Sequence, residues 1–214
     1  MRRLVSLAAL TATFTTLALA ASGAASASTR DGGLLGGLLG GNCPSSGTRV
    51  FAPWNDTNLY YLAPNGGLEN GATGWLLSGG AGVVSGNEPF YSSGNHSIAL
   101  PSGSTARSPV TCIGPKNLAI RMFGSDRNGT DSGLHVRVLW YGLVNQLLGI
   151  TDYGTFVPGG GWAPTDKVNS VGGLNLLLPL LGSTSARVEL TPTGSGSNWR
   201  IDDLYIDPWA SSCC

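Results

Sequence analysis

The sequence predicts an all-β protein built as a two-sheet antiparallel β-sandwich. Its 214 residues include 33 glycines but only two lysines and three glutamates, whereas helix surfaces usually draw on Glu, Lys and Ala. Apolar and polar residues alternate in short segments that Gly, Asn, Ser and Pro turns separate, which is the pattern of strands with one buried face. No segment has a sustained helical period, so two packed sheets are expected.

The chain begins with the features of a secretory signal peptide, in residues 1–27. Arg2 and Arg3 precede an apolar segment, and Ala25-Ser26-Ala27 offers a small-residue cleavage site. Threonines interrupt the apolar segment, which disfavours a membrane anchor. Residues 28–47 form a predicted linker arm of paired glycines and leucines, because each glycine costs a helix about 1 kcal/mol relative to alanine. We expect a secreted protein with one sandwich domain, residues 48–210, and a cysteine tail, residues 211–214.

The mature chain carries little net charge. Without Arg2 and Arg3 it has ten basic and twelve acidic residues, a difference of −2. So few charges disfavour a nucleic-acid partner, and no polybasic segment is present to bind an anionic membrane surface. No membrane span is expected once the signal peptide is removed.

Short segments predict the strands in chain order. A lead-in strand and a first sheet strand are expected at residues 49–51 and 59–61, and two strands flank a Ser-Gly-Gly turn at residues 75–77 and 81–84. The remaining strands are expected at residues 96–100, 106–113, 117–123, 134–141, 187–191 and 199–206. Pro109 places one of them at a sheet edge, because proline donates no ladder hydrogen bond. Residues 174–181 are a buried strand or a short helical turn, and Pro179 excludes a long helix.

The segment of residues 134–141 sorts into two faces by its period of two. The apolar face, which we assign to the core, carries Leu134, Val136, Val138 and Trp140; the other face carries His135, Arg137, Leu139 and Tyr141. The same rule turns Arg121 outward from the strand before it, which we expect to be its neighbour in the sheet, and Glu189 outward from a later strand. These outward side chains form either a binding surface or a solvated face of Arg–Glu pairs.

The last strand contains two adjacent acids. Trp199 and Ile201 share one face, and Asp202-Asp203 then breaks the alternation. One carboxylate must therefore point towards the buried side or lie in a β-bulge. A buried carboxylate needs a cation, an arginine or several backbone donors. We expect its partner in residues 64–71, with Arg200 or Arg49 as the alternative source of positive charge.

Four cysteines are expected to form disulfides, because the chain is secreted and contains no C-x-x-C motif. Of the three pairings that four cysteines allow, the one with a vicinal Cys213–Cys214 bond is strained. We expect Cys43–Cys112, which would tether the arm to the sandwich. The alternative pairs Cys43 with Cys213 or Cys214. Under the first pairing, the terminal cysteines are left to form an intermolecular disulfide.

Three short motifs carry a family resemblance: Asn65-Gly66-Gly67-Leu68-Glu69, then Gly74-Trp75, and finally Ile201-Asp202-Asp203-Leu204-Tyr205-Ile206. Together they resemble the galactose-binding-like jelly roll, best known from secreted carbohydrate-binding modules for xylan and β-glucan. The resemblance covers residues 59–209. It implies a glycan ligand and a structural calcium ion held by Glu69 with Asp202 or Asp203.

Jelly-roll carbohydrate modules commonly bind sugar on one sheet face, through aromatic rings and hydrogen-bonding side chains. The candidate ligand-binding residues are accordingly Arg121, His135, Arg137, Tyr141, Trp162 and Glu189. Trp162 lies in a loop, where an aromatic residue either joins a binding tip or plugs the end of the sandwich.

Catalysis finds little support in the sequence, which has no G-x-S-x-G elbow, no H-E-x-x-H and only two histidines. We therefore expect a non-enzymatic module that binds a glycan or a cell-envelope polysaccharide. One alternative is a structural or self-associating surface protein that acts through its leucine–glycine arm and Cys213-Cys214. The other is an unrecognised hydrolase.

Overall fold

Thirteen β-strands and one short 3₁₀ turn make up the regular structure in the part of the chain that the computed structural model describes, residues 43–91, 94–112, 118–128, 132–157, 160–169 and 183–209. The strands are β1 (Tyr61–Leu62), β2 (Leu76–Ser78), β3 (Gly82–Ser85), β4 (His96–Pro101), β5 (Thr105–Arg107), β6 (Thr111–Cys112), β7 (Ala119–Asp126), β8 (Gly133–Gly142), β9 (Leu147–Phe156), β10 (Ala163–Pro164), β11 (Val168–Asn169), β12 (Ser183–Thr193) and β13 (Asn198–Asp207). No helix among these residues is long and apolar enough to cross a membrane.

The strands form two antiparallel sheets, which confirms the predicted sandwich. The seven-stranded sheet has the order β10-β7-β13-β4-β3, with β1 also paired to β13 and β11 to β7. The six-stranded sheet has the order β2-β5-β12-β8-β9, with β6 also paired to β12. Apolar side chains from both sheets, including Trp140 and Val188 from one and Ile120 and Trp199 from the other, form the core between them.

The predicted core face of β8 is confirmed, whereas Leu139 of the predicted outward face is also buried, at 3% exposure. Leu134, Val136, Val138 and Trp140 are buried in the core. Trp140 also donates a hydrogen bond from Nε1 to Thr151 Oγ1 at 2.9 Å, which satisfies the polar atom of a buried indole.

The predicted neighbourhood of β7 and β8 is wrong. β7 pairs with β13, β10 and β11, whereas β8 pairs with β12 and β9. The two strands are consecutive in the chain but lie in opposite sheets, because the chain crosses the sandwich between them. Arg121 and Arg137 therefore point outward on opposite sides of the molecule.

Three smaller predictions also change. The expected strand at residues 106–113 is split into β5 and β6, which both pair with β12 on either side of Pro109. The expected lead-in strand is reduced to an isolated bridge between Thr48 and Tyr60, followed by the turn Ala52–Trp54. The sequence does not predict β9, because glycines interrupt its alternation of apolar and polar residues. Its pairing with β8 also contains two register shifts.

A second apolar cluster lies on the outer side of the seven-stranded sheet. Phe51, Tyr60 and Phe123 are buried there, and Trp54, Tyr91 and Trp162 pack against them. The segment before β1 thus covers this sheet, whereas Arg107, His135 and Arg137 on the outer face of the six-stranded sheet keep partly exposed side chains. The signal peptide, the leucine–glycine repeat, residues 174–181 and Cys213-Cys214 lie outside the described residues.

Candidate functional site

The outer face of the six-stranded sheet carries a row of alternating charges across four strands. Arg107 on β5 lies opposite Glu189 on β12, Glu189 lies opposite Arg137 on β8, and Arg137 lies opposite Asp152 on β9. We call these four residues the charged row. Opposite charges in register on one face stabilise a sheet, and Leu76 on β2 extends the row with an exposed apolar side chain.

Glu189 is the fixed centre of the charged row. Its side chain is only 2% exposed, and its Oε2 lies 2.5 Å from Arg107 Nε, while Oε1 accepts a hydrogen bond from Arg137 Nη2. Burial alone would raise the pKa of Glu189, but hydrogen bonds and the positive charges of Arg107 and Arg137 outweigh it and lower that pKa below its usual value. The carboxylate is therefore ionised at neutral pH and holds both guanidinium groups.

The two arginines border an open pocket of about 250 Å³. The rest of its lining is Leu76, Leu77, Ser78, Thr105 and Glu189. The Arg107 and Arg137 side chains are 45% and 40% exposed, so the free N–H donors at the ends of both guanidinium groups face solvent at the pocket, whereas Arg137 Nε is buried without a hydrogen-bond partner among the described residues. A guanidinium carries five donors in a fixed plane, and one carboxylate satisfies only some of them.

Asp152 and His135 form the far end of this surface. His135 Nε2 lies 2.8 Å from Asp152 Oδ2, and the backbone N–H of Gly154 donates to Asp152 Oδ1 at 2.7 Å. These hydrogen bonds lower the pKa of Asp152, the one from Gly154 most. Neither carboxylate of the charged row is held in a protonated form, so neither can act as a general acid at neutral pH.

Four of the six ligand-binding residues predicted from sequence share this face: His135, Arg137, Tyr141 and Glu189. Tyr141 lies opposite Ser185 and Leu147, four residues along β8 from Arg137. Sequence reasoning missed Arg107, Asp152 and Leu76, because none of them stands in a strand whose register the sequence reveals.

Arg121 and Trp162 lie on the other side of the sandwich. The Arg121 side chain is 7% exposed and its Nη1 lies 2.9 Å from Asp56 Oδ2, while Trp162 packs against the second apolar cluster. They do not contribute to the surface that contains the charged row.

The adjacent acids of β13 lie in a β-bulge, one of the two expected arrangements. The register with β7 shifts between Asp202 and Tyr205, and Asp203 has a positive φ of 47°. Asp202 is buried and accepts hydrogen bonds from the backbone N–H groups of Glu88 at 3.1 Å and Asp203 at 2.8 Å. Backbone N–H groups thus supply some of the hydrogen bonds that a buried carboxylate requires.

Residues 64–71 meet the bulge, as expected. Ala63 N donates to Leu204 O at 2.9 Å, and Leu204 N donates to Gly66 O at 3.2 Å. A Cβ added to Gly67 would lie 2.7 Å from Asp203 Oδ1, so a larger residue there would require this carboxylate to shift. Glu69 Oε1, however, accepts hydrogen bonds from the backbone N–H groups of Asn95 and His96.

Burial and the neighbouring negative charges oppose the ionisation of Asp202 and Asp203. Burial, reinforced by the charges of Asp203 and Glu88, raises the pKa of Asp202 to about 8, and burial with the charges of Glu88 and Glu69 raises the pKa of Asp203 to about 6. Within the described ranges, no ion pair joins either acid to an arginine. A cation would relieve this repulsion.

The side chains at the bulge do not by themselves supply a complete set of calcium ligands. Among the residues with described positions, no three His, Cys, Asp or Glu side chains converge to hold a metal ion. An ion at the bulge would need backbone carbonyl oxygens beside one or two carboxylates, which calcium accepts. The predicted ligands Glu69, Asp202 and Asp203 do not converge into such a group among the described residues, and calcium binding stays a prediction.

A disulfide joins Cys43 to Cys112, which confirms the expected pairing. It ties the segment before β1 to β6, across a sequence separation of 69 residues. Cys213 and Cys214 lie outside the described residues.

Comparison with known proteins gives matches in structure only. No protein-family model matches the sequence, and no curated protein matches it. The chain is similar to the C-terminal family 22 carbohydrate-binding module of Clostridium thermocellum Xyn10B, with 12% identity, a TM-score of 0.47, and coverage of 72% of this chain and 95% of that one. It is also similar to a family 61 module in complex with β-1,4-galactotriose, with 16% identity, a TM-score of 0.41, and coverage of 69% and 98%.

A third match is the enzymatically active domain of tailspike protein 4 of bacteriophage CBA120, with 13% identity and a TM-score of 0.47. This match covers 67% of the present chain, which spans only 20% of the tailspike chain. The solved structures similar to this chain are mostly carbohydrate-binding modules.

Proposed function

We propose that this protein is a secreted, non-catalytic module that binds a glycan on the outer face of its six-stranded sheet. The observation that carries the proposal is the charged row, in which buried Glu189 fixes Arg107 and Arg137 at the rim of an open pocket. Side chains that are already immobilised lose little entropy on binding, so their free donors are suited to recognise hydroxyl groups.

The same surface supplies the apolar contacts that sugar rings need. Leu76 lies at one end of the charged row, and Tyr141 lies further along β8 on the same face. An aromatic ring packs against the C–H face of a sugar, while Arg and carboxylate groups exchange hydrogen bonds with its hydroxyls. The surface combines both kinds of contact over several strands, which suits a chain of sugars.

A hydrolytic role fits this face poorly. Glycoside hydrolysis uses two carboxyl groups, one of which is kept protonated as a general acid. Glu189 and Asp152 are instead both held as carboxylates by cationic and backbone partners. We therefore place this surface among binding sites.

A glycan array with the mature protein tests the proposal. We expect binding to a limited set of polysaccharides, xylan, β-glucan and β-1,4-galactan oligosaccharides being the first to include. A variant with Tyr141→Ala should weaken that signal. An array on which the wild-type protein binds no glycan above the background of a denatured sample would contradict the proposal.

The second candidate function is self-association, which an exposed apolar hairpin favours. Leu143, Val144, Leu147 and Ile150 are 66%, 82%, 50% and 48% exposed around the β8–β9 turn. β9 ends the path of its sheet within the described residues, and an apolar edge strand is a surface on which a second copy can pair. Light scattering under non-reducing conditions should then show a dimer that Val144→Asp dissociates; a monomer at all concentrations would exclude this function.

A further inference from the structure

A second pocket lies on the opposite side of the sandwich, over β7. It is open, has a volume of about 460 Å³, and forms between the segment that precedes β1 and the loop after β10. Its lining includes Trp54, Asp56, Asn58, Arg121, Asp166 and Lys167. The volume is within the range of pockets that hold small ligands, and none of these residues belongs to the charged row.

Two of the lining side chains are held rigidly. Asp56 Oδ2 accepts hydrogen bonds from Tyr60 OH at 2.7 Å and Arg121 Nη1 at 2.9 Å, and Asp56 Oδ1 accepts one from Asn58 N at 3.1 Å. Arg121 Nε donates to Thr165 O at 2.9 Å, and its guanidinium lies 4.2 Å from the centre of the Phe51 ring. Both groups therefore keep their orientation whether or not a ligand is present.

The aromatic wall of the pocket is also supported from behind. The Trp54 ring packs edge-on against Phe90 and Phe123, with ring centres 5.1 and 5.6 Å away. The turn Ala52–Trp54 ends at Asn55, whose φ of 61° reverses the chain and brings the next polar residues beside the indole. An indole next to amide and carboxylate groups is a combination that binds rings with one apolar face and several hydroxyls.

The charges in the pocket cancel. Arg121 and Lys167 are positive, Asp56 and Asp166 are negative, and the Asp56–Arg121 pair is neutralised internally. Hydrogen bonds from Tyr60, Asn58 and Arg121 lower the pKa of Asp56 although burial opposes them, so the pair is ionised at neutral pH. A pocket without net charge does not favour an anion or a cation, but it offers donors and acceptors to a neutral ligand.

We propose that this pocket is a second binding site for a neutral sugar residue, separate from the surface on the six-stranded sheet. Trp54 would pack on the ring, and Asn58, Asp166 and Lys167 would bind its hydroxyls. Because the two sites face away from each other, one module would hold two glycan chains together. This site does not depend on the proposed function of the charged row, and each can fail alone.

Amide-resolved NMR titration of the mature protein tests this site, with xylohexaose, cellohexaose and β-1,4-galactotriose as probes at millimolar concentration. At least one probe should cause saturable shifts at Asn55, Asn58 and Lys167. Lys167→Ala and Asn58→Ala should each weaken that binding roughly fivefold, the effect expected for one lost hydrogen bond. Arg127→Ala, an exposed arginine outside the pocket, should leave it unchanged.

The same titration of the Tyr141→Ala variant distinguishes binding at the pocket from binding at the sheet face. If the pocket shifts persist with unchanged affinity in this variant, the second site stands by itself, whether or not the sheet face binds sugar. The inference is overturned if no probe shifts the pocket amides of the wild-type protein, if Lys167→Ala and Asn58→Ala both bind as wild type, or if the pocket shifts disappear in Tyr141→Ala.

Discussion

Glu189 and Arg107 form an ion pair across β12 and β5, with 2.5 Å between Oε2 and Nε. The second oxygen of the same carboxylate binds Arg137 on the other neighbouring strand. One side chain thus connects three strands of the six-stranded sheet and orients two arginines towards solvent. Its removal would loosen both the sheet and the pocket beside it.

Glu189→Gln should lower the free energy of unfolding at pH 7 by about 1–3 kcal/mol. The change removes charge-assisted hydrogen bonds, but the two arginines can recover part of the loss by hydration because they are half-exposed. The pKa of Glu189 is lowered on folding from its ordinary 4.5, so its contribution is complete above that value and is lost as the pH falls through the folded pKa. Urea titrations of both proteins from pH 7 to pH 3 should show the difference shrinking with acid, whereas a constant difference would contradict the ionised pair.

Tyr141 and Trp140 should respond oppositely to truncation. Trp140→Ala should cost about 3–5 kcal/mol of stability, because it empties a large site in the core. Tyr141→Ala should leave the Tm nearly unchanged and weaken glycan binding. Thermal unfolding and glycan binding of both variants check the two faces of β8; a stable Trp140→Ala and an unfolded Tyr141→Ala would invert them.

Loss of the Cys43–Cys112 disulfide should destabilise the protein. The bond closes a loop with a sequence separation of 69 residues, for which the chain-entropy relation gives about 4 kcal/mol. The double variant Cys43→Ser, Cys112→Ser should therefore unfold at lower denaturant concentration than the wild type. Peptide mapping without reduction should recover the two cysteines in one linked fragment, and free thiols at both positions would contradict the bond.

Calcium should raise the Tm and chelator should lower it, if an ion relieves the repulsion at the β13 bulge. A ligand that binds only the folded state stabilises it as its concentration exceeds its Kd. Glu69→Gln should abolish the response, whereas Asp166→Asn, a matched carboxylate in an exposed loop, should retain it. An unchanged Tm in excess chelator, together with no ion by elemental analysis, would remove calcium from the account.

The faces of individual strands could be predicted from the sequence, because alternation within one strand is a local signal. The alternation assigns Leu134, Val136, Val138 and Trp140 to the core correctly, and the break in phase at Asp202-Asp203 indicates the bulge. Strand pairing is not local: the sequence does not show that β7 and β8 lie in opposite sheets. Arg121 was therefore grouped with Arg137, although the whole sandwich separates them.

Four of the seven side chains named in the candidate site could be predicted from the sequence. His135, Arg137, Tyr141 and Glu189 stand in strands with clear alternation, so their outward direction could be inferred. Arg107 is next to Ser108-Pro109, where the chain continues but the strand is interrupted between β5 and β6. Asp152 is in a strand interrupted by glycines, so the sequence does not show which way either side chain faces. Their position beside Glu189 and Arg137 follows only from the register of four strands.

The most direct test of the account is an NMR titration with the glycan selected on the array, following amides of residues 105–107, 135–141 and 187–191. Wild type and Arg127→Ala should show the same saturable shifts on this face. Arg137→Ala should bind there roughly tenfold more weakly, as expected for a lost charged hydrogen bond, with Arg107 still pairing Glu189. If these amides do not move, or if Arg137→Ala binds like the wild type, the charged row is not a glycan site.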